Sequence, residues 1–195
     1  MGNTASTPEE VRISSHTGLT PEEFAVFNSL EQAAFSGYAS PEEDRRELND
    51  RFCSDDDAVG YILARTGGAL IGAIKLLQRA IPFGGRAIQL GGLGGVATRA
   101  DWRGRGVASA TTSAAMATLR QRGCDIAYLC TDIARLGKLY GRVGFVPLGR
   151  AHTYLGASGT RYTDTDGMIA PVNSPEIFAT VIEGKEPFDI GRGNW

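Results

Sequence analysis

Apolar residues gather into three stretches, 59–65, 69–81 and 87–98, separated by the pairs Gly67-Gly68 and Gly84-Gly85. Stretches of this length between glycine turns read as three antiparallel strands joined by hairpins. A helical pattern takes over at 106–121, where Val107, Ala110, Ala114, Met116 and Leu119 offer one apolar side and Gly123 stands just past the end as a C-cap. Thr20-Pro21-Glu22-Glu23 puts an N-cap before a first-turn proline and predicts a helix to about residue 34. Ser40-Pro41-Glu42-Glu43 repeats that signal and predicts a second helix through Phe52, with Asp44, Arg45, Arg46 and Glu47 on its solvated face. Short strands are expected at 11–15, 125–131, 145–148 and 167–171, and a short helix at 134–143 ended by Gly144. The order is strand, two helices, three antiparallel strands, helix, strand, helix, strands, which is an α/β (α+β) architecture. Gly92, Gly94 and Gly95 fall inside the third long strand, where glycine marks a bulge or a close approach of a ligand to the backbone. Residues 1–10 are expected to be disordered. Residues 11–195 read as a single domain, extended from about residue 150, where Gly156, Ala157, Ser158 and Gly159 form a loop that delays the last strand.

At 195 residues and 42% hydrophobic, the chain is long enough for one packed core. Lysine and arginine total 20 against 22 acidic residues, a net charge of −2, so nothing favours nucleic acid or a membrane surface, and a small-molecule partner fits better. The longest apolar runs, such as 69–77, are too short to span a bilayer, and residues 1–10 carry no apolar export segment. Cys53, Cys124 and Cys130 form no C-x-x-C pair and read as reduced packing thiols, so the expected location is cytoplasmic. No metal site is expected, His16 and His152 read as structural, and a homodimer stays open.

The chemistry gathers at Arg103-Gly104-Arg105-Gly106-Val107-Ala108, a short loop between a strand and the start of a helix. The first helical turn leaves its N–H groups unpaired and carries partial positive charge, so a pyrophosphate there is held by amides and dipole together. Gly104 and Gly106 remove side chains that would keep phosphates away, and Arg103 and Arg105 add charge; a surface turn with two arginines is the plainer alternative.

These residues match the R-x-x-G-x-A form of the signature used for acetyl-CoA by the GNAT superfamily of N-acetyltransferases. Leu139-Tyr140-Gly141-Arg142-Val143-Gly144-Phe145 resembles that superfamily's second element, and the resemblance runs over residues 11 to 150. It implies a central mixed, mostly antiparallel sheet of about six to seven strands flanked by about four helices, with a splayed V between the strands at 91–98 and 125–131. It further implies acetyl-CoA as acyl donor, with backbone groups of Val96, Ala97 and Thr98 on the pantetheine arm. The pyrophosphate falls to Arg103, Gly104, Arg105, Gly106, Val107 and Ala108, and the Val96 N–H becomes an oxyanion donor. Tyr140 matches the usual general acid, which protonates the departing thiolate; Tyr140 and Phe145 as a packing pair is the other reading. Gly94 stands where many relatives place a glutamate base. Asp132 is the substitute candidate, with an N-cap for the following helix as its alternative.

Phe35 and Tyr38, in the link between the first two helices, are candidates for the acceptor wall, or else form a turn with a buried aromatic. The run from Ala100 to Gly104, the aspartates Asp164 and Asp166 before Gly167, and the tail ending in Trp195 look similar to aminoglycoside 2'-N-acetyltransferases. That resemblance makes Asp164 a candidate for the acceptor amine, against a solvated turn. The expected function is acetyl transfer to a primary amine of a small molecule, with an aminoglycoside or amino sugar as one acceptor class. The competing class is an acyl-CoA-binding sensor or scaffold without turnover.

Overall fold

The computed structural model describes residues 10–36 and 42–195. The expected disorder at 1–10, apart from residue 10, lies outside the described residues, as do Tyr38 and the Ser40-Pro41 helix start. Strand β1 (Arg12–His16) leads into α1 (Pro21–Phe35), where Thr20 Oγ1 accepts from the Glu23 N–H and the Glu23 carboxylate accepts from the Thr20 N–H, so the expected N-cap is present within a capping box. Helix α2 is Glu42–Arg51. The three long strands are β2 (Ala58–Thr66), β3 (Ala69–Phe83) and β4 (Arg86–Thr98), followed by α3 (Val107–Gln121), β5 (Ile126–Cys130), α4 (Ile133–Gly141) and β6 (Val146–Pro147). The chain ends with β7 (His152–Leu155), β8 (Arg161–Asp164), β9 (Gly167–Pro171), α5 (Pro175–Glu183) and β10 (Phe188–Arg192).

Seven strands form one sheet in the order β1-β2-β3-β4-β5-β9-β6, antiparallel everywhere except between β4 and β5. The expected mixed, mostly antiparallel sheet is therefore present, with five helices among the described residues instead of about four. The extension departs most from the sequence reading. Rather than a loop up to Gly167, β7 and β8 pair as a hairpin and β10 adds parallel to β7, giving a second, three-stranded sheet.

Alternation along the strands, shifted by one residue on β4 between Leu93 and Ala97, sorts the core. Ile62, Ile74, Leu76 and Leu93 turn to α3 and α4, meeting Met116, Leu119, Tyr140 and Phe145. Tyr61, Leu63, Ala73 and Ala97 turn to the opposite face, where α1 lays down Phe27 and Leu30. Leu77, Tyr128 and Trp195 share a cluster with Tyr154 of the second sheet. Among the described residues no helix is long and apolar enough to cross a membrane.

Candidate active site

The centre of β4 is where the sheet breaks. Ala73 pairs with Ala97 and Lys75 with Gly94, so two steps on β3 are matched by three on β4, and the extra residue is a β-bulge. Gly95 has φ +57°, the left-handed conformation that such a bulge asks of glycine. On its other edge β4 pairs with β5 only at Leu90–Ile126, Gly91–Ala127 and Gly92–Tyr128. From Leu93 to Thr98 no strand covers that edge among the described residues. The V expected between 91–98 and 125–131 thus opens above Gly92, driven by the bulge.

Trp195 forms the floor of the V. Its indole Nε1 donates to the Tyr128 carbonyl (2.9 Å), its main-chain oxygen accepts from the Cys130 N–H (2.9 Å), and the Arg79 guanidinium stacks 4.1 Å from its ring. A Cβ at Gly92 would come 2.7 Å from Cζ2 and closer to two other indole atoms, so Gly92 is the space the ring needs. Asn194 ties the tail down: it accepts from the Tyr128 hydroxyl (2.8 Å) and exchanges backbone bonds with Arg51 and Cys53.

At the far end of the uncovered edge the chain turns through Ala100–Trp102 into the loop. Gly104 (φ +75°) and Gly106 (φ +83°) are left-handed, and the space around both is open. Gly106 is the N-cap of α3 and offers no side chain to the first-turn N–H groups. The loop is seated by Val107 and Trp102, buried with Ala64 and Ile71, while Arg105 lies 4.9 Å over the Trp102 ring and Arg103 Nε donates to the Thr98 carbonyl (3.3 Å). An open N-terminal turn flanked by two guanidinium groups fits a pyrophosphate.

Tyr140, on the last turn of α4, packs edge-on to Phe145 (centroids 6.2 Å apart), in the same apolar cluster as the Val96 side chain. Burial pushes its hydroxyl up to about 12, so it stays protonated at neutral pH. Both expected roles of Tyr140, packing partner and proton donor, are compatible with that position. Asp132 is exposed and caps α4, accepting from the Arg135 N–H (3.1 Å), which is the alternative foreseen for it.

The acceptor candidates are scattered. Phe35 is 44% exposed at the end of α1. Asp164 lies under α2, where Arg51 Nη2 donates to both its oxygens (2.6 and 2.8 Å) and Tyr154 to one (2.7 Å). Against the cost of burial, these donors hold its carboxyl below the usual range. With its lone pairs so engaged, Asp164 is the pin between α2 and the second sheet rather than a free anion. His152 is fully buried, and its two ring nitrogens and Asp166 Oδ1 have no hydrogen-bond partner among the described residues. Donor atoms of His152, Asp164 and Asp166 lie within 4.8 Å of one another, but the Arg51 charge on Asp164 opposes a cation there.

On the α1 face of the bulge stands a carboxylate that the sequence reading passed over. Glu31 follows Phe27 by one helical turn and so points at the sheet. A Cβ at Gly95 would overlap its Oε1 and come 3.2 Å from its Cδ. Lys75 is 3.9 Å from it and makes a closer ion pair with Asp55. The available signal was an acidic residue on the apolar side of a helix.

A family model described as an acetyltransferase (GNAT) domain matches residues 17–148. The chain belongs to the GNAT acetyltransferase family. Solved structures agree on the fold. YhbS of Escherichia coli, solved with CoA, superposes with a TM-score of 0.63 at 16% identity, over 97% of this chain and 93% of that one. A GNAT family acetyltransferase of Brucella melitensis, solved with acetyl-CoA, gives 0.54 at 22% identity over 71% and 84%. A GCN5-related N-acetyltransferase of Kribbella flavida gives 0.52 at 19% identity over 74% of this chain and 35% of its own. The chain thus spans about a third of that protein, and likewise 34% of an Enterococcus faecalis relative. The GNAT match covers both the open β4 edge and the loop, which the fold brings to one end of the V, together with Tyr140 on the opposite wall.

Proposed function

We propose that this GNAT protein transfers the acetyl group of acetyl-CoA to a primary amine of a small molecule by direct attack. The observation that carries the reading is the uncovered stretch of β4 running straight into the open first turn of α3. A pantetheine arm adds to Val96, Ala97 and Thr98 as a strand would, and the pyrophosphate rests on residues 103–108, where amides, helix dipole and arginines converge. The amine nitrogen bonds to the thioester carbon, the carbonyl oxygen gathers charge beside the Val96 N–H, and the C–S bond breaks as Tyr140 gives its proton to sulfur. Burial that raises the tyrosine also makes the unsolvated thiolate more basic, so the two remain matched for transfer. The free thiols of Cys53, Cys124 and Cys130 fit a cytosolic setting with acetyl-CoA at hand. Cys124 is pushed up to about 11 by burial, which suits a packing role.

For the acceptor, the tail locked into the V by Asn194 and Trp195 and the buried unpartnered oxygen of Asp166 keep an aminoglycoside or amino sugar in view, while the engagement of Asp164 with Arg51 weighs against Asp164 as the clamp. Gly94, without a carboxylate on the strand, is what favours the second reading, an acyl-CoA sensor. The deciding experiment is CoA release from acetyl-CoA against kanamycin, glucosamine, lysine and spermidine. Turnover with one amine establishes the enzyme; acetyl-CoA binding by calorimetry with no CoA release on any amine establishes the sensor.

A further inference from the structure

An amine reaches the V as an ammonium ion and needs a base, yet Asp132 is spent on a helix cap and Gly94 has no side chain. The strand is crowded at both glycines: a Cβ at Gly94 would stand 3.0 Å from Leu77 Cδ1 and 3.5 Å from Trp195 Cβ, and a Cβ at Gly95 would overlap the Glu31 carboxylate. The volume beside the bulge is taken by a carboxylate delivered from α1. With standard bond lengths, Oε1 lies within about 4 Å of the Gly95 Cα, the residue that precedes the Val96 N–H.

We infer that Glu31 is the general base of the acetyl transfer, taking from α1 the proton that no residue of β4 can accept; this rests on the function proposed above. Its side chain is 25% exposed, enough to meet an acceptor entering along the α1 face and dry enough to make its charge costly. Burial raises its carboxyl above the ordinary range, Lys75 opposes that and Asp55 adds to it. The Lys75 ammonium is the nearest cation, but it is committed to Asp55 and lies over the Phe27 ring at 5.9 Å. Tyr61 and Asp56 complete the charged and titratable surroundings on this face, with the Tyr61 hydroxyl also raised, chiefly by burial. A carboxylate so placed is a better base than one in water, as a proton acceptor requires.

The protons balance. Glu31 takes one from the ammonium and later gives it to water. The nitrogen lone pair forms the C–N bond, the C–S pair leaves on sulfur, and Tyr140 protonates that thiolate. The second proton, shed by nitrogen after the bond forms, restores Tyr140.

The test is kcat against pH from 5 to 9, with acetyl-CoA and the fastest amine of the panel, for wild type, Glu31→Gln and Glu31→Asp. Glu31→Gln is expected to lose roughly 100-fold or more at neutral pH and to lose the acid limb of the profile, with acetyl-CoA affinity and Tm preserved. Glu31→Asp, which keeps a carboxylate set back from the bulge, is expected to keep the acid limb at about a tenth of the rate. Retention of rate within about threefold and of the acid limb by Glu31→Gln overturns the assignment, as does a loss explained by unfolding or by loss of acetyl-CoA binding. Wild-type protein that releases no CoA with any amine overturns the parent reading, an outcome distinct from both because it needs no variant.

Discussion

Gly92→Ala tests the placement of Trp195 directly. The new methyl would stand 2.7 Å from Cζ2 of the indole, with Cε2 and Nε1 nearer still, so the ring must withdraw by roughly 1.5 Å to reach ordinary contact. It cannot do so freely: Nε1 is bonded to the Tyr128 carbonyl at 2.9 Å, the main-chain oxygen is held by Cys130, and Arg79 covers the ring at 4.1 Å. Losing the indole bond costs about 1 kcal/mol, disturbing the guanidinium stack about 0.5–1 kcal/mol, and overpacking about 1–3 kcal/mol. Complete expulsion of the ring would expose ~200 Å² and set an upper limit near 5 kcal/mol. The expected loss is therefore ~2–5 kcal/mol, a fall in Tm of roughly 5 to 15 °C for a chain of this size. Thermal unfolding by circular dichroism measures it, and indole emission in a Trp102→Phe background reports whether Trp195 has moved into water. Trp195→Phe in the same chain should restore most of the loss by making room for the methyl. Gly91→Ala should cost less, since its Cβ meets the flexible end of Leu119 at 2.9 Å and Cys124 Sγ at 3.0 Å. A Gly92→Ala protein that melts within about 1 °C of wild type with unchanged emission would falsify the account of the V floor.

Other outcomes follow from the same geometry. Tyr140→Phe keeps the packing on Phe145 and removes the proton donor, so kcat should fall ~100-fold or more with Tm and acetyl-CoA affinity little changed; an unaltered kcat would reduce Tyr140 to its packing role. Gly106→Ala forces a side chain into the left-handed region at φ +83°, costing ~1–2 kcal/mol locally, and should weaken acetyl-CoA binding by roughly tenfold in calorimetry, whereas equal affinity would remove the loop from the phosphate site. The pH dependence of stability should carry the mark of His152. Burial lowers its pKa from 6.5, so the folded state resists the proton: this stability is full above about 6.5 and is lost as acid charges the unfolded chain, down through the folded value. His152→Phe should flatten the fall in Tm between pH 7 and 5, because an apolar ring replaces an unpartnered buried imidazole; an equally steep fall would assign the acid sensitivity elsewhere.

The parts of this fold that local chemistry dictates were legible from residues alone. The Thr20 N-cap and the hairpins at two glycine pairs rest on neighbours within a few positions, and each forms where expected. Beyond residue 150 the pairing is non-local: β7 is four residues long, and its parallel partner β10 is reached only after β8, β9 and α5, so no period announces it. The start of α5 went unread although its signal is local. Ser174-Pro175-Glu176 repeats the Thr20-Pro21-Glu22 signal, but the Ser174 hydroxyl donates to Asp125 (2.6 Å) instead of capping. Asp164 could not be read as tied to Arg51, because the two meet only when α2 folds over the second sheet.

The glycines of β4 show how the same letter encodes different needs. Glycine in a strand costs about 0.5–1 kcal/mol relative to alanine, so four in five positions is a sizeable penalty that local structure does not explain. Only Gly95 is required by its backbone, as the bulge residue at φ +57°. Gly91 yields to Leu119 and Cys124 on the α3 face, while Gly92 and Gly94 yield to the indole and main chain of Trp195 on the other. Each missing side chain is thus matched by a group from a distant part of the chain: α3 beneath, the tail in the V, α1 at the bulge. The bulge opens β4 from β5, the tail fills the narrow root of that opening, and the remaining backbone edge of β4 is left without a strand partner among the described residues. A strand so stripped leaves the charged work to its neighbours, which is why the carboxylate at the bulge comes from Glu31 of a helix and not from the sheet.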